Sequence, residues 1–201
     1  LLGLSLWLVP SEADTDRLRK IMDIRPSTDP SNLGASYPRF QPHVTLASLS
    51  ESHTADIVQF ALSSIPEAQS PLPVAFRAVE VGDHFFRSVY IAVNPSKALL
   101  DLHANLHREL GIATPGTPKY PHMSLCYITE DDAKAGERTN YFHELETSGR
   151  IRNDREAVSL NCRERDSEDA WLSGFDAQEI WIVKCEGPVE NWAIQTKITL
   201  G

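Results

Sequence analysis

The sequence predicts one domain of mixed strands and helices, built from two related lobes that face one another about a pseudo-twofold axis. The first observation is a doubled phrase, since PHVTLAS begins at Pro42 and PHMSLCY begins at Pro121. The second is that the opening strands of the two halves also match, because SLWLV at Ser5 aligns with SVYIA at Ser88. The third is a basic-aromatic pair in the loop before each histidine, in PRFQPH and PKYPH. Three similarities in the same order indicate a duplicated unit.

The length of the chain fits this interpretation. With 201 residues and 22.4 kDa, the chain suits one domain or two small lobes that share an interface and a core. We therefore expect a single bilobal domain over 1–201, with sequence repeats at approximately 2–82 and 87–186.

The first half is predicted to begin with a strand and a helix. Residues on the two faces of the strand alternate, with Leu4, Leu6 and Leu8 on one face and Ser5, Trp7 and Val9 on the other. This alternation, and the lack of a basic segment or cleavage site, favours a strand over a signal peptide. Ser11 is the expected N-cap of a helix over roughly 13–24. A strand at HVTLASL, a helix over about 53–65, and strands at LPVAFRAVEVG and RSVYIAVN follow. The last two strands are joined by a turn formed by Gly82, Asp83 and the residues after them.

The second half repeats this order. Ser96 and Gly111 bound the clearest helix, and HMSLCYI is the next strand. EDDAKAGERTNYFHELETSG is predicted to form one helix, and ENWAIQTKITL a final strand. EAVSLNCRE and EIWIVKCEG are predicted to pair as a hairpin with a long loop, which makes Cys162 and Cys185 neighbours. Free buried thiols are the default expectation for them, and a disulfide under oxidation is the alternative.

Charge and composition narrow the choice of partners. The net charge is -9 and the pI about 5.2. Long nucleic acid and anionic membranes bind proteins that present a basic face, so this acidic chain is not expected to bind either. His103 and His107 have a spacing compatible with a metal on a helix, but no third ligand lies nearby in sequence. We therefore expect no metal, no cofactor, no long nucleic acid and no membrane partner.

The doubled phrase carries the candidate chemistry. Residues i and i+2 of a strand share a face, so His43 and Thr45 point the same way, as do His122 and Ser124. Two imidazoles can act as the acid and the base of phosphoester hydrolysis near neutral pH. Two hydroxyls can donate hydrogen bonds to phosphate oxygens and stabilise charge in the transition state. The pattern thus indicates phosphoester chemistry without a metal.

The doubled H-x-[T/S]-hydrophobic motif resembles the two-histidine (2H) phosphoesterase superfamily. Within it, the chain is similar to the plant and fungal cyclic phosphodiesterases in size and in the S-x-W-x-x-P pattern at Ser5, Trp7 and Pro10. An aromatic residue at Tyr127, five positions after the second histidine, adds to the similarity. The resemblance implies an α+β fold, bilobal, with antiparallel sheets lining a central cleft and helices outside.

The resemblance also implies an activity. Members of the family are hydrolases that open ADP-ribose 1″,2″-cyclic phosphate, a tRNA-splicing by-product, to ADP-ribose 1″-phosphate. They also convert nucleoside 2′,3′-cyclic phosphates to 2′-phosphates. By this analogy His122 activates water, His43 protonates the leaving oxygen, and Thr45 and Ser124 bind the phosphate. The near symmetry of the motifs leaves the order of acid and base open. Trp7 is expected to stack on the nucleotide or to wall it in.

The remaining candidate residues are assigned to the core, the cleft or the solvent. Tyr127 has the parity of the core residue Leu125, and reaches the cleft only if the strand ends, twists or bulges first. Cys126 has the parity of Ser124 and is expected to line the cleft deeper in. Tyr90 is interpreted as a packing residue, with a role matching that of Trp7 as the alternative. Charges at Arg39 and Lys119 are interpreted as solvated rather than phosphate-binding.

The predicted function is therefore a metal-independent cyclic phosphodiesterase. Its expected partner is a small cyclic phosphate nucleotide, and we expect a cytoplasmic monomer, with an endomembrane location as the alternative. Two other functions stay open, namely a 2H enzyme acting on RNA ends or 2′-5′ linkages, and a non-catalytic nucleotide- or RNA-binding module.

Overall fold

Two antiparallel sheets form the framework of the protein. The computed structural model describes residues 3–25, 34–49, 57–67, 69–112, 119–164 and 167–201. The strands of this part of the chain are β1 (Gly3–Val9), β2 (Val44–Leu49), β3 (Leu72–His84), β4 (Arg87–Val93), β5 (His122–Cys126), β6 (Ile151–Asp154), β7 (Ala157–Asn161), β8 (Trp171–Leu172), β9 (Gly174–Ala177), β10 (Glu179–Cys185) and β11 (Ala193–Thr199). The helices are α1 (Glu12–Met22), α2 (Ile57–Ser64), α3 (Lys97–Glu109), α4 (Glu130–Lys134) and α5 (Glu137–Thr147), with a short 3-10 turn at Val189–Asn191. The protein is thus α+β in class, as predicted.

The strand order shows how the two halves meet. The large sheet has eight strands in the order β11-β10-β1-β2-β5-β4-β3-β9, and β6-β7-β8 form the small sheet. Exchanging β1 with β4, β2 with β5 and β3 with β10 maps the six inner strands onto themselves. The halves join at the centre, where β2 and β5 pair through Val44 and Met123. This order is what the predicted duplication would produce, and the duplication itself stays a prediction.

The two faces of β1 pack against different clusters, as the alternation predicts. Leu6 and Leu8 enter the main core together with Leu18 of α1. Trp7 lies in a second cluster on the opposite face, with Trp181 of β10. The main core therefore lies behind the sheet, and the other face is left for the cleft.

The predicted helix caps are confirmed. The Ser11 side chain accepts a hydrogen bond from the Asp14 N–H at 3.2 Å and caps α1. Ser96 caps α3 through the N–H of Leu99 at 3.3 Å. Gly111 follows the end of α3 with a φ of 64°, a left-handed conformation that suits glycine. The described part of the predicted helix over 53–65 is α2, and its predicted first residues, including His53, lie outside the described residues.

Two predicted boundaries shift at glycines. The turn between β3 and β4 lies at Phe85 and Phe86, among the residues predicted for it, but Gly82 and Asp83 belong to β3, which continues to His84. A Cβ on Gly82 would lie 1.9 Å from the carbonyl oxygen of Arg87, so this glycine permits a close approach between strands. The single helix predicted from residue 130 is two helices, because Gly136 has a φ of 90° and ends the first.

The predicted hairpin of β7 and β10 is wrong. β7 pairs with β6 and β8 in the small sheet, whereas β10 pairs with β1 and β11 in the large one. Cys162 directly follows β7 of the small sheet and Cys185 ends β10 of the large one, and both are buried free thiols. The stretch predicted as a loop contains β8 and β9, which redirect the chain through long-range pairings that local patterns do not specify.

Across the ranges described above, none of the helices is both long and apolar enough to cross a membrane.

Candidate active site

A cleft opens over the four central strands of the large sheet. Its volume is about 240 Å³. The six residues predicted for the site all line it, namely Trp7, His43, Thr45, His122, Ser124 and Tyr127. The remaining lining residues are Ser5, Ser48, His84, Phe86, Arg87, Cys185 and Trp192. The fold therefore brings both copies of the doubled phrase to one place.

Both histidines are held by the same type of contact. The Nδ1 of His43 lies 2.6 Å from the carbonyl oxygen of Gln41, and the Nδ1 of His122 lies 3.2 Å from that of Lys119. A carbonyl oxygen only accepts, so Nδ1 carries the hydrogen in each ring. In the neutral rings Nε2 is therefore the basic nitrogen, and it is available for proton transfer.

The aromatic neighbours of the two imidazoles differ. The His43 ring stacks on the Trp7 indole, with centroids 3.8 Å apart and planes 10° apart. The His122 ring instead meets Tyr90 edge to face, at 5.4 Å and 72°. The Tyr90 hydroxyl donates to the carboxylate of Glu80, which favours the packing interpretation of this tyrosine. The two halves of the site are thus related but chemically unequal.

Trp7 supports His43 as well as lining the cleft. Its side chain is only 4% exposed, and its Nε1–H donates to Ser5 Oγ at 2.8 Å. His43 covers one face of the indole, so that face is closed to a nucleotide. The predicted walling role suits this placement better than the predicted stacking role, and both stay predictions.

A bulge in β2 decides which residues after Thr45 face the cleft. Two consecutive residues of β1 lie opposite Ala47 and Thr45, so Leu46 is an extra residue in β2. Leu46 and Ala47 both pack into the core, whereas Thr45 and Ser48 line the cleft. The extra residue therefore changes the alternation and turns Ser48 toward the cleft.

The same bulge occurs in β5. Two consecutive residues of β4 lie opposite Cys126 and Ser124, so Leu125 is the extra residue. Leu125 and Cys126 are both in the core, and the prediction that Cys126 lines the cleft is wrong for this reason. Tyr127 is turned to the cleft instead, where it lies stacked on Phe40 at 4.0 Å. Tyr127 and Ser48 are the matching positions of the two halves.

Burial favours the neutral form of both imidazoles near pH 7. Desolvation lowers the pKa of His43 to about 4, with a smaller contribution from the charge of His122. Desolvation also lowers the pKa of His122 to about 4, and the nearby guanidinium of Arg87 acts in the same direction. Arg87 lines the cleft, and no Asp or Glu lies among the described lining residues. The Nη2 of Arg87 also donates to the exposed carboxylate of Asp83 at 2.8 Å. The positive charge that Arg87 brings to the cleft is therefore partly compensated, and it still favours an anionic ligand.

The two hydroxyls are not equivalent. Ser124 Oγ donates to the carbonyl oxygen of Phe86 at 2.8 Å, so its single hydrogen is already engaged. The Thr45 hydroxyl makes no hydrogen bond to any residue that the structure describes, and it is free to donate to a ligand. The symmetry predicted for these two residues therefore does not extend to their hydrogen bonds.

Sequence reasoning missed three lining residues that matter for the chemistry, Ser48, Arg87 and Trp192. The signal for Ser48 was its position 79 residues before Tyr127, the same offset as between the histidines. Arg87 and Trp192 come from the β3–β4 hairpin and the segment before β11, and no local pattern links these segments to the motifs. Arg39 forms an ion pair with Asp23 at 3.3 Å and does not line the cleft.

His103 and His107 are the two histidines of α3 whose spacing is compatible with a metal. The His103 and His107 rings lie 3.9 Å apart, and His107 Nε2 lies 3.0 Å from the Leu46 carbonyl oxygen. Within the segments covered by the structure, no group of three or more His, Cys, Asp or Glu side chains is arranged to hold an ion.

The chain is similar in sequence to cyclic phosphodiesterases and in fold to a solved structure. The family described as "Cyclic phosphodiesterase-like protein" matches residues 2–200. A 2′,3′-cyclic-nucleotide 3′-phosphodiesterase of Yarrowia lipolytica is 27% identical over 220 residues, covering 96% of this chain and 97% of the relative. A cyclic phosphodiesterase of Arabidopsis thaliana is 27% identical over 139 residues, covering 68% of this chain and 72% of the relative. The crystal structure of E. coli LigT with phosphate is 12% identical, with a TM-score of 0.57 and coverage of 99% and 97%. At that identity LigT shows the fold alone.

Proposed function

Because the chain belongs to the cyclic phosphodiesterase-like family of two-histidine phosphoesterases, we propose that it hydrolyses small cyclic phosphate esters. Its substrates are nucleoside 2′,3′-cyclic phosphates, converted to 2′-phosphates, and ADP-ribose 1″,2″-cyclic phosphate, converted to ADP-ribose 1″-phosphate. The observation that carries the proposal is the cleft itself, in which two imidazoles with carbonyl-bound Nδ1 atoms share one space with Thr45 and Ser124.

The reaction needs one base and one acid. Nε2 of His122 takes a proton from water as the water oxygen forms a bond to phosphorus. The bond between phosphorus and the 3′-oxygen breaks, and Nε2 of His43 gives its proton to that oxygen. The phosphate stays on the 2′-oxygen. Each turnover leaves His122 protonated and His43 neutral, so proton exchange with solvent restores the pair.

Two contacts support this order of acid and base. The indole face beneath His43 favours an imidazolium, because the π electrons of tryptophan attract a cation. Arg87 lies close enough to His122 to disfavour a second positive charge there. The protonated form therefore belongs to His43 and the neutral form to His122 when the anionic substrate is bound.

Side chains of the cleft compensate the negative charge of the cyclic phosphate. The cyclic diester carries one negative charge, which the protonated His43 compensates. The Arg87 guanidinium adds a smaller contribution, because it is already paired with Asp83. The free hydroxyl of Thr45 donates to a non-bridging oxygen, and Ser124 can do so once its hydrogen turns away from the Phe86 carbonyl. This arrangement accounts for the reaction without a metal or a cofactor.

The direct test is product analysis with 2′,3′-cyclic AMP in the presence of EDTA. We expect adenosine 2′-phosphate as the product. His43→Ala and His122→Ala should each lower kcat by roughly 10²–10⁴-fold, because each removes one proton-transfer group. His143→Ala is the matched control, since this imidazole is 70% exposed on α5. Full activity of the His43→Ala/His122→Ala double variant would refute the proposal. A strong preference for a cyclic-ended oligonucleotide would instead point to RNA ends as the substrate.

A further inference from the structure

His107 is a buried histidine that lies outside the active-site cleft. It belongs to the last turn of α3 and is only 1% exposed. Its Nε2 lies 3.0 Å from the carbonyl oxygen of Leu46, a residue 61 positions earlier in the chain. A carbonyl oxygen only accepts a hydrogen bond, so Nε2 carries the hydrogen and donates it. A helix of the second half thus holds the motif strand of the first half.

Leu46 is the residue at which the pairing of β2 is interrupted. It is the extra residue of the bulge, so the register with β1 passes over it. On the other side of β2, the described register with β5 consists of Val44 and Met123. Buried backbone carbonyl groups are almost always hydrogen-bonded in native proteins. His107 therefore supplies a side-chain donor at a point where the described strand registers provide no partner residue.

A second side chain holds the same bulge. Ser5 Oγ donates to the carbonyl oxygen of Ala47 at 3.3 Å, one residue beyond the contact of His107. Both carbonyl groups closely follow Thr45, which lines the cleft. Because donors from β1 and α3 fix the backbone after Thr45, the direction of the Thr45 hydroxyl depends on these two contacts.

The imidazole of His107 makes one hydrogen bond in the part of the chain that the structure describes. Its Nδ1 is buried and has no hydrogen-bond partner there. A buried polar atom without a partner costs free energy, and an apolar side chain would avoid that cost. Leu99, Leu102 and Leu106 are such side chains on the same helix. The contact with Leu46 therefore explains why this core position of α3 carries a histidine.

α3 is fixed to the second motif as well. The Tyr120 hydroxyl donates to the carbonyl oxygen of Leu99 at 2.9 Å, and the Tyr120 ring stacks on His103 with centroids 4.0 Å apart. Tyr120 lies two residues before His122. The helix that carries His107 is therefore anchored beside one motif strand while it holds the bulge of the other.

We propose that His107 is a positioning residue for the reaction, which acts through the Leu46 carbonyl group and the bulge to direct the Thr45 hydroxyl at the phosphate. It touches neither the substrate nor the reacting atoms. The inference rests on the proposed function, because it assumes that Thr45 donates to the cyclic phosphate. A misplacement of about 1 Å can lower a rate by roughly 100-fold, so a distant residue that fixes the bulge can limit catalysis.

The first test compares two amides at this position. In His107→Gln the longer side chain carries an N–H to the place of Nε2, whereas in His107→Asn the amide reaches only as far as Nδ1. His107→Asn should lower kcat/KM for 2′,3′-cyclic AMP by about tenfold, and His107→Gln should keep it within about threefold of the wild type. His143→Asn is the matched control, because this imidazole is 70% exposed on α5, and it should have wild-type activity.

A double-mutant cycle with Thr45→Val separates positioning from a general loss of structure. If His107 acts through the Thr45 hydroxyl, His107→Asn should change kcat/KM by less than about twofold once that hydroxyl is absent. A residue that only stabilises the fold would cost the same factor in both backgrounds. Urea denaturation of each variant shows that the assays are made on folded protein.

Each result decides the question. Equal losses for the two amides, or equal losses with and without the Thr45 hydroxyl, overturn the positioning role while the proposed function stands. If His107→Asn does not fold, His107→Gln decides, since wild-type activity supports the role and a larger loss or a failure to fold overturns it.

If the wild-type protein does not hydrolyse 2′,3′-cyclic AMP, the proposed function fails, and calorimetry with adenosine 2′-phosphate tests the positioning role separately. Binding that weakens at least about threefold in His107→Asn and persists in His107→Gln supports it, because the Thr45 hydroxyl then still contacts a phosphate. Equal or absent binding overturns it.

Discussion

The buried histidines should make the protein lose stability as the pH falls from 7 to 5. His43 is only 7% exposed, and desolvation lowers its pKa from 6.5 to about 4 in the folded state. Between pH values of about 4 and 6.5 the unfolded chain therefore binds more protons than the folded chain. By linkage, the free energy of unfolding then rises with pH, so acidification through this window destabilises the protein.

The size of the effect follows from the two pKa values. At pH 5 an imidazole with a pKa of 6.5 is mostly protonated, whereas one with a pKa of about 4 is mostly neutral. Through His43 alone, the free energy of unfolding therefore falls by about 2 kcal/mol between pH 7 and pH 5. His122 acts in the same direction, because its pKa is also lowered to about 4. Such a loss is a substantial part of the stability of a typical domain.

Urea denaturation at pH 7 and pH 5 measures the effect. The wild-type protein should lose several kcal/mol between the two pH values, and His43→Gln should lose about 2 kcal/mol less. His143→Gln is the control, because this imidazole is 70% exposed, and it should follow the wild-type dependence. If His43→Gln and the wild type lose the same free energy, the imidazole of His43 is not desolvated in solution and the reasoning is refuted.

Two further predictions concern the hydroxyls and a glycine. Thr45→Val should lower kcat/KM by roughly 10–100-fold, because the free hydroxyl donates to the phosphate, and Ser124→Ala should have a smaller effect. Steady-state kinetics of the two variants compare them, and a larger loss for Ser124→Ala would contradict the assignment. Gly82→Ala should lower the free energy of unfolding by about 3 kcal/mol, since its Cβ would meet the Arg87 carbonyl oxygen at 1.9 Å. Gly201→Ala, with no atom within 4 Å of its Cβ, is the control in chemical denaturation, and equal stabilities would contradict the prediction.

The sequence predicted most of the site because its signals are local. Strand parity and the offset of 79 residues placed His43 and His122 with their hydroxyl partners, and all four line one cleft. Side-chain capping at Ser11 and Ser96 likewise depends on residues three positions apart, and both caps are present. Two local predictions failed at glycines. Gly82 was predicted in a turn and lies in a strand, and Gly136 was predicted inside a helix and separates two helices.

What the sequence by itself determined is therefore the pair of motifs, the faces of their strands and the family to which they belong. Only the tertiary structure decided the bulges that turn Ser48 and Tyr127 into the cleft, because a bulge depends on the partner strand. It also decided that β10 pairs with β1, far away in sequence, and that Arg87 and Trp192 join the site. These contacts depend on packing between segments that are distant along the chain. Such packing is set by the shape of the whole core, which the alternation of a single strand cannot specify.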